Sequence, residues 1–379
     1  MDFHFNQEQD LLRDSVKKFV EKDYTFIARN GLLKSDLGYS QKAWKSFAEL
    51  GWTALPFSEE DGGLGGKAVD TMIVLEELGK GLTLEPYWSS ILYAGNVLKR
   101  ADKALKGNYL AKLIEGEITA AVASAEPDSR FSLSQVDTKA KRDGDGFVLS
   151  GKKVAVLGGE SAELLIVSAR TSGAAGEQKG ITLFAVEAKS AGVSKINYRT
   201  VDGLRAANVT LENVRVSGSQ VIGKVDEGFT ILDQATDEAI IALGAEAVGI
   251  MDSMLKQTVA YTKERKQFGV PIASFQVLQH RMVDMFIQVE QSVSMTYMAT
   301  IKLDHEAERA KAAAAAKVQI GKACRFVGQN AIQLHGGMGM TDEMAIGHYY
   351  KRASMIEMAF GTTDHFLARY EFLSLGQAA

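Results

Sequence analysis

Apolar positions in the first third of the chain recur at three- and four-residue spacing. From Gln7 onward, Leu11, Leu12, Val16, Phe19 and Val20 fall on one helical face. Trp44, Phe47, Leu50 and Trp52 form a second stripe. The run Met72 to Leu82, carrying Ile73, Val74, Leu75 and Leu78, forms a third. Between them, Glu59-Glu60-Asp61-Gly62-Gly63-Leu64-Gly65-Gly66 breaks the period. Its acidic residues would repel phosphate, so a tight turn is expected there. From about Ile118 the pattern changes. Ala120 to Ala125 is short and apolar, Leu164 to Ser168 and Ile181 to Val186 read as strands, and Asn208 to Val216 alternates with outward polar groups. Phe147 to Val156 reads as a hairpin turning at Ser150-Gly151. Helical spacing returns at about Glu227 and continues to the end. The pattern predicts a mostly helical α+β chain with an N-terminal helical domain (1–118), a middle β domain (119–226) and a C-terminal helical domain (227–379).

Composition narrows the function more than the fold. With 379 residues, 46% of them hydrophobic, the chain can bury more than one core, and only four prolines favour long helices. A net charge of −4 offers no basic surface for nucleic acid. No apolar run reaches the ~20 residues of a membrane span. The opening Met-Asp-Phe-His-Phe-Asn lacks the layout of a signal peptide. The single cysteine, Cys324, cannot form an internal disulfide, so a reducing, cytoplasmic setting is expected, with Cys324 as a small packing residue. His280, His348 and His365 show no metal-ligand spacing, so no metal is expected.

The most informative stretch runs from Tyr261 to Gln276. Gly269 and Pro271 interrupt one helical pattern, and another opens at Gln276. Arg265, Gln267 and Phe268 therefore sit at a corner between helices. A guanidinium fork with amides and an aromatic suits a phosphate or diphosphate. The same arginine also fits a plain surface turn, where the helix dipole favours a terminal cation.

Two segments carry a family resemblance. Arg-x-Gln-Phe-Gly-x-Pro-Ile-x-x-Phe-Gln, from Arg265 to Gln276, resembles the signature of the acyl-CoA dehydrogenase flavoproteins. Gln333-Leu334-His335-Gly336-Gly337-Met338-Gly339, followed by Tyr349-Tyr350-Lys351-Arg352-Ala353, resembles a second piece of it. Within the family the chain looks most like the small subunits of two-gene dehydrogenases, such as pimeloyl-CoA and steroid-side-chain enzymes. The resemblance implies a β-barrel-like middle domain and a C-terminal four-helix bundle. It also implies FAD as cofactor, an acyl-CoA substrate oxidised at Cα–Cβ, and an electron-transfer flavoprotein as acceptor. It places Arg265, Gln267, Phe268, Gln276, Gln333, Gly336 and Gly337 on the diphosphate and adenosine of a flavin cradled mainly by a neighbouring subunit, and Thr362 against the cofactor in cis.

The same comparison exposes losses. Phe360 stands where most members carry the catalytic glutamate, and Ala239 stands at the alternative base position. Glu238 is rotated about 100° away along the helix. Glu246 lies seven residues beyond Ala239, on nearly the same face and about 10 Å further along the axis. In the apolar stretch Ile240 to Val248 an unpaired carboxylate would be costly. Glu246 is read either as a displaced base or, preferably, as a buried partner of an arginine on a neighbouring helix. The flavin-ring segments are altered too. Ala125-Glu126-Pro127-Asp128-Ser129-Arg130-Phe131 replaces Thr-Glu-Pro-Gly-x-Gly-Ser, and Ala155-Val156-Leu157 replaces Trp-Ile-Thr. The expectation is a non-catalytic small subunit of an α2β2 complex with a catalytic large-subunit homologue. The alternatives are a self-sufficient homomer using Glu246, or a flavin-free structural homologue.

Overall fold

In a computed structural model the structure describes residues 5–376. Two compact units emerge, each assembled from separated pieces of chain: one from the residues up to Gly31, Ala68–Thr83 and Ile240 onward, the other from Leu32–Lys67 and Leu84–Ala239.

The first unit is helical. Its opening helix, α1 (Gln7–Asp23), starts where Asn6 and Gln9 form a reciprocal cap: Gln9 N–H donates to Asn6 Oδ1 at 2.9 Å, and Asn6 N–H donates to Gln9 Oε1 at 3.1 Å. Val16 and Phe19 of the expected stripe form its buried face, while Leu11 is 63% exposed. Then come α2 (Phe26–Leu33), α3 (Gln41–Glu49, in the second unit) and α4 (Ala68–Lys80), which packs on α1. In the second unit a buried π-helical stretch, Tyr87–Ala94, leads to the short helices α5 (Gly95–Leu98), α6 (Lys103–Leu105) and α7 (Ala111–Ile114).

The sheet of the second unit has eight strands: β1 (Ala120–Ala123), β2 (Lys139–Asp143), β3 (Gly146–Leu157), β4 (Leu164–Arg170), β5 (Ile181–Glu187), β6 (Val193–Arg199), β7 (Arg205–Val216) and β8 (Val221–Ile222). They run in the order β6-β7-β3-β2-β4-β5-β8, with β1 parallel to β4. One expectation is corrected here. Ser150-Gly151 is not a turn but lies inside the single strand β3, at a register shift against β7. A Cβ on Gly151 would fall 2.4 Å from Thr138 Oγ1, so the glycine serves close backbone approach at a bulge. The true hairpin turn joins β2 to β3 through Gly144 at φ +62°.

A 37-residue helix, α8 (Gly228–Glu264), follows the sheet. After it come α9 (Gln276–Ile301), α10 (Glu306–His335), α11 (Ala345–Met358) and α12 (Thr363–Leu375). Helix α10 packs on α9, α11 and α12. Its alanines Ala312, Ala313, Ala314 and Ala316 are buried against Ile240, Ile241, Ala299 and Phe366, the thin layer that permits close helix approach. Helices α4 and α8 cross still more closely. A Cβ on Gly249 would lie 1.9 Å from the Glu76 carbonyl oxygen, and one on Gly79 would lie 2.4 Å from that of Glu246.

The helical unit also contains a histidine that must stay neutral. Arg29, 1% exposed, donates through Nε to the Leu82 carbonyl at 2.8 Å and through Nη1 to His348 Nδ1 at 3.2 Å. An Nδ1 that accepts leaves the proton on Nε2, which donates to the Asp342 carbonyl at 3.2 Å. Burial first, and the Arg29 charge as well, hold the His348 pKa below its ordinary 6.5. Such a group binds protons more readily when the chain unfolds. Its contribution is complete above about pH 6.5 and is lost as pH falls toward the lowered folded value. The unfolding midpoint is therefore expected to be flat above pH 7 and to decline as pH falls below about 6.5, and His348→Asn is expected to flatten part of that slope. A midpoint independent of pH across this window would contradict the assignment.

Candidate functional site

Helix α8 ends at Glu264, and the Arg265 amide still donates to the Tyr261 carbonyl at 2.8 Å. The chain then makes a miniature hairpin that the sequence pattern did not reveal. Lys266–Gln267 pairs antiparallel with Val270–Pro271, and the turn places Phe268 at φ +55° and Gly269 at φ +82°. Two successive positive φ angles are the geometry of a tight hairpin turn. Glycine adopts it freely, but a phenylalanine there costs on the order of 1–2 kcal/mol. Phe268 is nevertheless 92% exposed and meets the Phe275 ring edge-on at 6.2 Å. The Ile272 amide donates to the Arg265 carbonyl at 2.8 Å and closes the corner before α9 begins.

Facing the corner, α10 ends at His335, and Gly336 reverses the chain at φ +58°. A cleft of about 880 Å³ lies between, lined by Arg265, Gln267, Gln333, Gly336 and Gly337 together with Tyr261 and His335. Among the described residues no aspartate or glutamate lines it and no carboxylate pairs with Arg265. A Cβ on Gly336 or Gly337 would meet nothing within 4 Å. The chain's own packing therefore does not demand glycine at 337, which leaves room for close approach from outside. Tyr261 stacks on His335 at 4.4 Å. The His335 Nδ1–H donates to the Ala331 carbonyl at 2.8 Å, and burial lowers the imidazole pKa, so Nε2 is an unprotonated acceptor. An unpaired guanidinium, side-chain amides and a glycine cradle fit the diphosphate and nucleoside end of a nucleotide cofactor.

Of the expected nucleotide residues, Arg265, Gln267, Gln333, Gly336 and Gly337 share this cleft. Phe268 and Gln276 stand exposed at the corner outside its lining. Thr362 lies apart as the N-cap of α12, its hydroxyl accepting from the His365 amide at 3.3 Å. Tyr261, Arg281 and Thr341, which also line the cleft, were not singled out for it in the sequence. Arg281 falls five residues after Gln276, in the helical run that the motif opens.

In the first ring segment Glu126 and Ser129 face inward. The Glu126 carboxylate accepts from Lys153 Nζ at 2.6 Å and from the amides of Asp137 at 2.7 Å and Thr138 at 3.1 Å. Burial opposes its ionisation, but the Lys153 ammonium and these hydrogen bonds hold its pKa below the usual range. Burial pushes the Lys153 pKa down to about 8, against the pull of Glu126. The Ser129 hydroxyl accepts from the Glu126 amide at 2.9 Å and donates to the Glu126 carbonyl at 3.0 Å. Arg130, where a glycine was expected, takes φ +48°. Ala155 sits in the second bulge of β3 at φ +51°, its amide donating to Asn208 Oδ1 at 3.1 Å. The Val154 amide donates to the Ala125 carbonyl at 2.9 Å. These groups satisfy one another, and Ala125, Phe131 and Leu157 carry no hydroxyl. A flavin ring docked here would lack those side-chain hydrogen bonds.

The base positions are equally closed. Phe360, at φ +62°, packs against the cluster of Ile240, Ala312 and Phe366. Ala239 is fully buried, and its carbonyl accepts the Trp88 indole N–H at 2.9 Å. Glu238 pairs with Arg100 at 2.5 Å and Lys99 at 3.4 Å. Glu246 is buried, and Arg352 grips both of its oxygens, Nε to Oε1 at 2.6 Å and Nη2 to Oε2 at 2.8 Å. Lys351 pairs with Asp342 at 3.1 Å, so both members of the basic pair have carboxylate partners. Burial pushes the Cys324 thiol up to about 12, which fits an inert packing residue. Among the described residues no cluster of His, Cys, Asp and Glu is placed to hold a metal, and no helix is long and apolar enough to cross a membrane.

A helical unit, with a cationic cleft at a helix corner, and a unit built on an eight-stranded sheet make a protein of mixed α+β class. The N-terminal, middle and C-terminal domains of acyl-CoA dehydrogenase match residues 6–117, 121–214 and 226–369. The chain belongs to the acyl-CoA dehydrogenase family of oxidoreductases and has its fold. It is 30% identical to the probable acyl-CoA dehydrogenase YngJ of Bacillus subtilis, over 96% of this chain and 97% of that one. The FAD complex of PigA superposes with a TM-score of 0.91 at 26% identity, covering 98% of each chain. A Tcur3481-Tcur3483 steroid ACAD superposes with a TM-score of 0.88 at 26% identity, covering 97% of this chain and 98% of the other.

Proposed function

We propose that this chain is the small subunit of a heteromeric, FAD-dependent acyl-CoA dehydrogenase. It lends the Arg265 cleft to the diphosphate and adenosine of a flavin whose ring lies in a larger homologous partner. The contrast between the two half-sites carries this reading. The nucleotide cleft keeps an unpaired guanidinium and an open glycine cradle, while the ring segment has Ala125, Phe131 and Leu157 in place of hydroxyls and Ala155 in place of an indole. Bound flavin would supply the hydride acceptor for desaturation of an acyl-CoA thioester. The base would come from the partner, since Phe360 and Ala239 cannot take a proton and both Glu246 oxygens are engaged. An electron-transfer flavoprotein would reoxidise the complex.

The exposed apolar residues of α9 and the corner support a partner-covered face. Phe286 is 51% and Val283 54% exposed, and the strained Phe268 extends the same surface class. The PigA complex with FAD supports the cofactor, and the paired name of the steroid ACAD supports a two-chain arrangement. Expressed alone, the chain is expected to purify colourless and without dehydrogenase activity. Co-expressed with a longer homologue that carries a usable base, it is expected to co-purify as a yellow, active complex. Stoichiometric flavin and full activity in the lone chain would end the proposal, as would failure to associate with every such homologue.

A further inference from the structure

The Arg265 cleft holds a second cation that the nucleotide-tail reading does not assign. Arg281 lies in the second turn of α9 and lines the same cleft. Its Nη1 donates to Asn330 Oδ1 at 3.3 Å, across to α10. The Asn330 amide is itself set by a hydrogen bond from Nδ2 to the Phe326 carbonyl at 2.9 Å. This chain of contacts aims the guanidinium while using one of its five donors. Like Arg265, Arg281 has no carboxylate partner among the described residues. Two guanidiniums therefore face one cavity, brought there by different elements: Arg265 by the end of α8 and Arg281 by α9. No acidic side chain on the lining offsets them.

A single guanidinium fork matches the two oxygens of one phosphoryl group. A dinucleotide's diphosphate carries a negative charge on each of its phosphoryl groups, so one fork leaves the second charge unanswered. We infer that Arg281, positioned by Asn330, is the second diphosphate-binding residue of this cleft, which makes the site selective for a diphosphate over a monophosphate. The inference rests on the nucleotide-tail reading above and deepens it. It concerns only this chain's residues, so ADP, which has the tail's chemistry without a flavin ring, is a sufficient probe.

The test is calorimetric titration of the full chain with ADP, AMP and adenosine at low salt. The wild-type chain is expected to bind ADP more tightly than AMP, and AMP more tightly than adenosine. Arg281→Gln is expected to weaken ADP by about tenfold, to bring ADP and AMP closer together and to leave adenosine unchanged. Asn330→Ala, which leaves the guanidinium in place but unaimed, should lose less in the same direction. Arg265→Gln should weaken ADP and AMP alike. If Arg265→Gln loses ADP while Arg281→Gln binds it as wild type does, the inference is overturned and the nucleotide-tail reading stands. If the wild-type chain prefers ADP no more than adenosine, or neither variant alters ADP binding, both fall together.

Discussion

Arg352→Met is expected to destabilise the helical unit by about 3–5 kcal/mol, the cost of leaving a buried carboxylate without its counter-ion. The geometry makes this a severe exchange. Glu246 is 8% and Arg352 9% exposed, and the pair is bidentate at 2.6 and 2.8 Å. Relaxation has little room. The Glu246 backbone is pinned where α4 crosses α8, with Gly79 packed against its carbonyl. Removing both charges is expected to cost far less: Glu246→Leu with Arg352→Met should recover to within about 1–2 kcal/mol of wild type, since well-packed apolar pairs replace buried ion pairs at little loss. Chemical denaturation of the four proteins closes the cycle. Were Glu246 a catalytic base instead, Glu246→Gln would abolish turnover in the co-purified complex while leaving the denaturation midpoint nearly unmoved. The ion-pair reading expects the reverse, a lowered midpoint and persisting turnover.

That cycle also shows what the sequence could and could not disclose. Glu246 stood out because a carboxylate in the run Ile240 to Val248 requires a partner, and a buried Arg–Glu pair was the preferred reading. Which arginine supplied it is a tertiary fact, 106 residues away in the chain. The α1 helix was legible because its apolar spacing is local. The β7 alternation was legible because one face of the strand is buried. The Tyr87–Ala94 stretch was not, because every residue in it is buried and burial on all sides erases the period. Strand β6 failed for the opposite reason: at the sheet edge, none of its residues is fully buried. The corner hairpin has two residues per strand, too few for any pattern. Ser150-Gly151 misled because glycine marks a bulge as readily as a turn.

At the site, Arg265, Gln267, Gln333, Gly336 and Gly337 were legible through contiguous motif spacing, and the structure brings all of them to one cleft. Arg281 and Asn330 were not, because their meaning arises only when α9 and α10 lie side by side. The Glu126–Lys153 pair was equally hidden. A lysine inside a strand reads as an outward polar position, yet Lys153 is 0% exposed and pairs with Glu126.

In the co-expressed complex, Arg265→Ala is expected to weaken flavin retention by about 100-fold, or about 3 kcal/mol. This is the sum of two charge-assisted hydrogen bonds of about 1.5 kcal/mol each from a bidentate guanidinium. The loss should appear as bleaching on dilution or gel filtration, with activity restored by excess FAD. It should not appear as unfolding, because Arg265 is exposed and makes no ion pair among the described residues. Gly337→Val provides the sharper companion. Its backbone does not need positive φ and a Cβ there meets nothing in this chain, so the lone subunit should denature as wild type does. If a cofactor tail lies against that glycine, the added methyl groups must displace it, and the complex should shed flavin as the Arg265 variant does. A Gly337→Val complex that keeps its flavin while Arg265→Ala loses it would move the tail off the Gly336 turn and confine the contact to the α8 corner. If both variants retain flavin normally, the cofactor is held without this chain, and the exposed corner serves only to join the subunits.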